Sequence, residues 1–348
     1  MKQKIFFRTI TDFKKGYGNL NRSITLAEGL QKKDYKIHFL ITKNTSAINE
    51  LTKRHYNYTI LPKFNSIKNE SSYISNLMKS KNFQIIILDM REFGESLSKY
   101  LKQSNHYVVL IDDAWCKTAY ADLIINGTIV EKYHKYKKIN KYSKVYTGTN
   151  YLIMPNHFKK FRKQLYNIKQ KQNYNIVITM GGSDYDNLTE LVVNSLLHFN
   201  NLRINILVGP FFKNYKNLKQ VSNNRNVKII KSSKTIWKEF NKADIAISAS
   251  GNTLYELIVQ RIPTLCISAS PHQIPYAKKF QNLGCAIHLG YKNQITTKKI
   301  QNSVTNLLKN TNKRRKMASV SGKTIIGNGL THVISIMDKF LKNKICDN

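Results

Sequence analysis

Short apolar runs alternate with amphipathic segments along almost the whole chain. Near-continuous apolar runs such as Gln84–Asp89 (QIIILD) and Tyr107–Asp112 (YVVLID) are typical of parallel strands that are buried on both faces. In Arg22–Gln31 and in the tail His332–Lys344, by contrast, apolar residues recur at helical spacing. This alternation predicts an α/β fold assembled from strand–helix units.

The predicted strands fall into two groups. The first comprises Ile5–Arg8, Ile37–Thr42, Gln84–Asp89, Tyr107–Asp112 and Leu123–Asn126, and the second comprises Ile176–Thr179, Ile204–Val208, Val227–Ile230, Ile245–Ser248 and Thr264–Ser268. Pro155 and a lysine-rich stretch from Asn156 to Tyr174 separate the groups. We therefore expect two Rossmann-like domains that face a cleft, with residues 1–155 in the first, 156–330 in the second and 331–348 in a C-terminal helix and tail.

Two turns rich in small residues each follow a predicted strand of the second half. One turn runs from Met180 to Asp184 and contains two adjacent glycines, and the other begins at Ser250 and leads into a helix that carries Glu256. Small residues let a ligand approach the backbone, and the free N–H groups at the start of a helix suit a phosphate. A carboxylate on that helix can accept hydrogen bonds from a ribose diol.

These turns predict a nucleotide site at the carboxyl ends of parallel strands. The predicted lining residues are Gly182, Ser183, Ser250, Gly251, Asn252, Thr253 and Glu256. Neither turn matches the GxGxxG dinucleotide fingerprint or a P-loop. A pair of ordinary strand–helix turns with a solvated glutamate is the alternative explanation of the same pattern.

The charge of the chain narrows the choice of partners. Its 348 residues include 57 Lys and Arg against 20 Asp and Glu, a formal net charge of +37. A surface of this charge attracts nucleic acid, anionic lipid headgroups or anionic small molecules. The sequence lacks an RNA-binding aromatic signature, a zinc finger and a helix-turn-helix pattern, which disfavours nucleic acid. A sugar nucleotide and an anionic membrane surface are therefore the expected partners.

The sequence predicts a cytoplasmic protein without a cofactor or a metal. Its apolar runs are much shorter than the ~20 residues needed to cross a bilayer, and the N-terminus lacks a signal-peptide pattern. The four cysteines have no metal-binding spacing, and Cys266 and Cys285 lie in apolar contexts typical of buried thiols. Asp184 and Asp186 follow a glycine turn, where capping of the next helix explains them.

Several fragments of the chain occur in the order of one protein family. They are GYGNLNRSITLAEGL, IIILD, VVLIDD, ADLIINGT, GTNYLIMPNHF, ITMGGSDYDNLT, ADIAISASGNTLYELI, PTLCIS and HQ. On these fragments the chain resembles the PseG- and SpsG-like family, which contains the UDP-sugar hydrolase of pseudaminic acid biosynthesis and its polysaccharide-biosynthesis relatives. This family shares the GT-B fold with the lipid II glycosyltransferase MurG.

The resemblance implies a GT-B fold whose C-terminal domain binds a UDP- or CMP-linked sugar. It implies that His272 and Gln273 approach the sugar or the phosphate, and that Gly18 in the N-terminal glycine loop is a further contact. In GT-B folds helix dipoles and side chains commonly stabilise the leaving diphosphate, so no metal is expected.

The chain departs from the family pattern at three places in its N-terminal half. The family's Gly-x-Gly-His loop, whose histidine is taken to activate water, reads Gly16-Tyr17-Gly18-Asn19 here. An amide has no basic lone pair at neutral pH, so Asn19 cannot act as a general base. The family's Arg-x-Asp reads Arg8-Thr9-Ile10, and its Asp-His reads Asp89-Met90. These losses argue against the family's hydrolysis reaction.

Three hypotheses about function follow. The first is a glycosyltransferase of surface-glycan biosynthesis, of the nonulosonic or pseudaminic acid type. Its lipid-linked or glycan acceptor would bind in the altered N-terminal domain, at the inner face of an anionic membrane. The second is a hydrolase of the pseudaminic pathway, and the third is a non-catalytic protein that binds sugar nucleotides.

The candidate catalytic residues are Asn19, Asp12, Asp89 and Glu92, and for both enzymes the three acids are the candidate bases. Structural roles are the alternatives. Asn19 can cap the following helix, Asp112 and Asp113 can bind backbone amides at a strand end, and His272 can be a structural residue of the cleft.

Overall fold

The chain forms two compact units. The computed structural model describes residues 3–11, 18–138, 142–209, 212, 215, 218, 221, 224–231 and 235–346. Unit 1 comprises Met1–Pro155 together with Asn328–Asn348, and unit 2 comprises Asn156–Gly327. The chain thus leaves unit 1 after Pro155 and returns to it after Gly327.

Unit 1 is built on a parallel sheet of seven strands in the order β3-β2-β1-β4-β5-β7-β9, beside a short pair β6-β8. The strands are β1 (Lys4–Thr9), β2 (Lys36–Thr42), β3 (Asn57–Leu61), β4 (Ile85–Asp89), β5 (Tyr107–Ile111), β6 (Thr118–Ala119), β7 (Leu123–Asn126), β8 (Lys137–Lys138) and β9 (Lys144–Thr147). The helices are α1 (Gly18–Gln31), α2 (Thr45–Lys53), α3 (Ile67–Ser80), α4 (Gly94–Gln103) and the C-terminal helix (Gly329–Cys346).

Each face of the unit 1 sheet carries its own hydrophobic core, because successive side chains of a strand point to opposite faces. Ile5 and Phe7 of β1 pack with residues of α1 and of the C-terminal helix, whereas Phe6 packs with residues of α3 and α4. A Cβ atom at Gly29 of α1 would lie 2.2 Å from Cδ1 of Ile334. The absence of that atom lets the C-terminal helix approach α1 closely.

Unit 2 has a parallel sheet of six strands in the order β12-β11-β10-β13-β14-β15. The strands are β10 (Tyr174–Thr179), β11 (Leu202–Val208), β12 (Val227–Lys231), β13 (Ile245–Ala249), β14 (Thr264–Ser268) and β15 (Ala286–Tyr291). The described helices are α5 (His157–Lys160), α6 (Leu188–Asn194), α7 (Ile236–Lys242), α8 (Asn252–Val259), α9 (Ile274–Asn282), α10 (Thr297–Lys309) and α11 (Thr311–Thr324).

The predicted strands are confirmed to within one or two residues, and the mixed α/β class is confirmed with them. The sequence missed the short pair β6 and β8. It also missed β3, β9 and β15, each of which is an edge strand of a large sheet. An edge strand is covered less completely than a central one, so it does not need a continuous apolar run. Within the described ranges, no helix combines the length and the apolarity that a membrane crossing requires.

Candidate functional site

The two glycine-containing turns of unit 2 leave neighbouring strands. Strands β10 and β13 are paired in parallel, with Thr179 opposite Ser248, and the strand order reverses between them. Open α/β sheets bind ligands at the carboxyl ends of the strands beside such a reversal. The turn after β10 and the turn after β13 therefore meet at the ligand-binding edge expected of this fold.

The turn after β10 is held by Asp184. This buried residue has φ +41°, and its two carboxylate oxygens accept hydrogen bonds from the N–H groups of Leu188 (3.0 Å) and Thr189 (2.8 Å). The expected capping role of Asp184 is thus confirmed. The other expected cap, Asp186, instead forms an ion pair with Lys292.

The glycines of this turn allow close backbone packing. A Cβ atom at Gly209, just after β11, would lie 2.4 Å from the carbonyl oxygen of Gly182. Gly181 has φ +85°, a conformation that favours glycine. Gly181, Gly182 and Ser183 remain partly exposed, so their backbone faces solvent at the carboxyl edge of the sheet.

The turn after β13 leaves the start of α8 without a capping side chain. Gly251 occupies the N-cap position with no side-chain hydrogen bond. A Cβ atom there would meet only Nε2 of Gln273, at 3.5 Å, which is an ordinary contact. The hydroxyl of the buried Ser250 has no well-formed hydrogen bond among the described residues, although the Cys266 thiol lies beside it. Free N–H groups and open space at this helix start suit an anion.

Glu256 lies in the second turn of α8 and is partly buried. In the part of the chain that the structure describes, its carboxyl group has no hydrogen bond and no ion pair. Burial raises its pKa to about 8. A carboxyl group without a cation is notable in a chain of net charge +37, because buried carboxylates are normally paired.

His272 and Gln273 follow β14, which pairs with β13. Oε1 of Gln273 accepts a hydrogen bond from the Ala269 N–H (2.9 Å), and Nδ1 of His272 lies 3.1 Å from the Ser270 hydroxyl. The predicted unit 2 residues therefore gather at one edge of the sheet. They are Gly182, Ser183, Ser250, Gly251, Asn252, Thr253, Glu256, His272 and Gln273.

In unit 1 the candidate residues Asn19 and Asp89 contact each other. Asp89 ends β4 and is 1% exposed, and Asn19 lies in the first turn of α1. Nδ2 of Asn19 donates to Oδ1 of Asp89 (2.5 Å), while its Oδ1 accepts from Nε of Arg91 (3.3 Å). Asp89 also accepts from the Ser23 hydroxyl at 3.3 Å. The amide nitrogen and the amide oxygen of Asn19 thus both form hydrogen bonds.

Arg22 completes this cluster and was missed at the sequence level. Its guanidinium donates to both oxygens of Asp89 (2.6 and 3.0 Å) and to both oxygens of Asp113 (2.5 and 3.1 Å). Burial acts to lower the pKa of Arg22, but Asp113 and Asp89 outweigh it and raise the pKa well above its usual value. The signal available in the sequence was a basic residue on the apolar face of a predicted helix, together with acidic residues at the ends of two predicted strands.

The remaining unit 1 candidates lie at the same edge or outside the described residues. Gly18 begins α1, and Glu92 belongs to the short helix Arg91–Phe93 after β4. Asp12 lies outside the described residues. One oxygen of Asp112 accepts from the Trp115 N–H (3.2 Å), which confirms its expected role at the strand end.

Burial raises the pKa of Asp112 to about 6. The thiols Cys116, Cys266 and Cys285 are free and buried. The expectation for the last two is therefore confirmed.

The amino-acid sequence of the chain is similar to the sequences of known proteins. The glycosyltransferase family 28 C-terminal domain matches residues 158–328, almost the whole of unit 2. The spore coat polysaccharide biosynthesis protein SpsG of Bacillus subtilis (strain 168) is 24% identical over 96% of this chain and 97% of its own length. A pseudaminic acid cytidylyltransferase and UDP-2,4-diacetamido-2,4,6-trideoxy-beta-L-altropyranose hydrolase of Helicobacter pylori (strain 26695) is 32% identical, over 32% of this chain and 20% of its own length.

Solved structures show the same fold. MurG of Acinetobacter baumannii superposes with a TM-score of 0.72 over 97% of this chain and 100% of its own, at 14% identity. A UDP-GlcNAc 2-epimerase of Neisseria meningitidis bound to UDP-GlcNAc gives a TM-score of 0.64 over 97% and 100%, also at 14% identity. The chain therefore has the GT-B fold and is similar in sequence to proteins of the SpsG- and PseG-like family, and its residues 158–328 match the glycosyltransferase family 28 C-terminal domain.

Proposed function

We propose that the protein is a glycosyltransferase of surface-glycan biosynthesis that takes its donor sugar from a UDP- or CMP-linked nucleotide. The single observation that carries the proposal is Glu256, a partly buried carboxyl group beside the uncapped start of α8 that has no hydrogen-bond or ion-pair partner among the residues the structure describes. The diphosphate would bind the free N–H groups after Gly251, and Glu256 would accept hydrogen bonds from the ribose diol. SpsG, named for polysaccharide biosynthesis, and the epimerase bound to UDP-GlcNAc support this assignment.

Gly251→Ala tests the diphosphate contact. The backbone of Gly251 has φ −97°, and the added methyl group would make only one ordinary contact, with Gln273. The variant should therefore keep the melting temperature of the parent protein while losing affinity for UDP in calorimetry, because the methyl group occupies the space of the phosphates. Parent-like UDP affinity in a folded Gly251→Ala protein would contradict the proposed site.

Glu256→Gln tests the ribose contact. Loss of charge-assisted hydrogen bonds should weaken UDP binding by about 1–3 kcal/mol. Glu239→Gln is the matched control, because Glu239 lies on α7 and pairs with the exposed Lys242. We expect the control to bind UDP as the parent does.

Transfer is proposed over hydrolysis because Asn19 stands in the place of the family's water-activating histidine, and because the described side chain of Asp89 is not free to take a proton from water. Asn19 has no basic lone pair, and Asp89 is buried among four donor groups. A lipid-linked or glycan acceptor would then supply the nucleophile. The net charge of +37 supports attraction to an anionic membrane surface, which salt should weaken.

Hydrolysis of a nucleotide sugar is the second candidate, since the H. pylori relative is named as a hydrolase. The decisive experiment follows nucleotide release from UDP- and CMP-sugars with and without membranes as a source of acceptor. Release that depends on membranes supports transfer. Rapid release of free sugar without any acceptor would support the hydrolase instead.

A further inference from the structure

Two large aromatic side chains are exposed at the carboxyl edge of the unit 1 sheet. Phe93 follows β4 and is 41% exposed, and Trp115 follows β5 and is 36% exposed. Strands β4 and β5 are paired in parallel, with Leu88 opposite Leu110. The two segments that carry these aromatic residues therefore leave the sheet side by side, at the edge where α/β sheets bind ligands.

Glu95 fixes the two segments to each other. One carboxylate oxygen of Glu95, in the first turn of α4, accepts hydrogen bonds from the N–H groups of Lys117 (2.6 Å) and Thr118 (3.2 Å). A Cβ atom at Gly94 would lie 3.8 Å from Sγ of Cys116. The residues that immediately follow Phe93 thus lie beside the residues that immediately follow Trp115.

A second anchor sets the loop that carries Trp115. The Trp115 N–H donates to Oδ1 of Asp112, and Oδ2 of Asp112 accepts from the hydroxyl of Tyr136 (2.7 Å). The adjacent Asp113 is held by Arg22, yet its side chain remains 28% exposed. The exposed ring of Trp115 and the partly exposed carboxylate of Asp113 thus lie two residues apart on a loop that is held by hydrogen bonds.

We propose that Phe93 and Trp115 form a platform on which a pyranose ring of the acceptor stacks, with Asp113 accepting hydrogen bonds from its hydroxyl groups. The proposal rests on the proposed transferase function and names the acceptor class, a saccharide. An apolar C–H face of a sugar packs on an aromatic ring while its hydroxyls need charged or amide partners, and this edge offers both. The Arg22–Asp113 pair beside the rings favours a saccharide over hydrocarbon, because burying those charges in lipid is costly.

The fluorescence of Trp115 can report ligand binding at the platform. The chain has two tryptophans, and the other, Trp237 of unit 2, stacks on Phe161 at 3.8 Å. The Trp237→Phe protein therefore has Trp115 as its single tryptophan, and excitation at the red edge of the indole absorption band, where tyrosine does not absorb, gives emission from Trp115 alone. This protein is titrated, without any nucleotide, with the methyl glycosides of glucose, galactose, N-acetylglucosamine and rhamnose, and separately with phosphatidylcholine and phosphatidylglycerol vesicles. A saturable change of Trp115 emission with at least one glycoside, in the millimolar range, is the expected result.

Variants of the Trp237→Phe protein test whether the change in Trp115 emission arises from binding at the platform. Phe93→Ala should weaken the glycoside affinity about 3- to 10-fold, the size of one aromatic contact. Tyr142→Ala is the matched control, because Tyr142 is 73% exposed but precedes β9 and so lies towards the opposite edge of the sheet. This control should leave the affinity unchanged.

Two outcomes would overturn the platform. One is that no glycoside alters Trp115 emission, with or without saturating UDP. The other is that vesicles alone produce the response, which would identify a membrane anchor. Failure of the donor site is distinguishable, since UDP binding is measured separately by calorimetry. Glycoside binding without UDP binding would support the platform while removing the proposed donor site.

Discussion

Replacement of Arg22 by methionine should destabilise unit 1 strongly. The side chains of Arg22 and Asp89 are 11% and 1% exposed, and the guanidinium makes four hydrogen bonds to two carboxylates. Methionine keeps most of the apolar volume but removes the charge. Asp89 would then remain buried with only the neutral donors of Asn19 and Ser23.

The magnitude follows from the loss of the buried counter-charge. A unit charge about 4 Å away contributes about 4 kcal/mol at an effective dielectric constant near 20. Removing one partner of a buried ion pair typically costs about 3–5 kcal/mol, because the other charge is left uncompensated. We therefore expect Arg22→Met to lower the free energy of unfolding of unit 1 by about 3–5 kcal/mol.

Urea unfolding followed by Trp115 emission, in the Trp237→Phe background, measures unit 1 directly. Arg54→Met is the matched control: Arg54 also contacts two carboxylates, Glu28 and Glu50, but it is 31% exposed, so its loss should cost at most about 1 kcal/mol. The further change Asp89→Asn should recover part of the stability of Arg22→Met, since it removes the unpaired charge. An Arg22→Met protein as stable as the Arg54→Met control, or a double variant less stable than Arg22→Met, would refute this reasoning.

Three further predictions concern catalysis, proton linkage and packing. Asn19→His places an imidazole, which can act as a base, beside Asp89. The rate of acceptor-free nucleotide release should therefore rise, and an unchanged rate would count against the role assigned to position 19. Glu256 has a pKa of about 8 before ligand binds, whereas ribose hydroxyls favour the ionised form. UDP affinity should therefore increase from pH 7 through 8 and level off above, and calorimetry of Glu256→Gln should show no such rise. Gly209→Ala brings a methyl group to 2.4 Å from the Gly182 carbonyl oxygen. It should therefore lower the melting temperature as well as the UDP affinity, whereas Gly251→Ala should lower the UDP affinity alone. An unchanged melting temperature of Gly209→Ala would contradict this.

The sequence by itself determined the central strands and the turns that follow them. Strands such as β4, β10 and β13 are buried on both faces, and burial demands apolar runs that are visible without a structure. The small residues at Gly181 and Gly251 mark turns for an equally local reason. Together these features predicted the edge of unit 2 at which its two glycine-containing turns lie, and the capping role of Asp184.

Only the tertiary structure decided which side chains meet. Arg22 joins Asp89 and Asp113, which are 67 and 91 residues away in sequence, and no local pattern encodes such a pairing. Whether the carboxyl group of Glu256 finds a partner likewise depends on the side chains that packing brings around it, and it finds none among the residues that the structure describes. Three of the four edge strands of the large sheets, β3, β9 and β15, were lost for a related reason, since partial exposure relaxes the apolar pattern that reveals a strand. Local chain chemistry fixes elements and turns, whereas contacts between distant residues depend on how the elements pack.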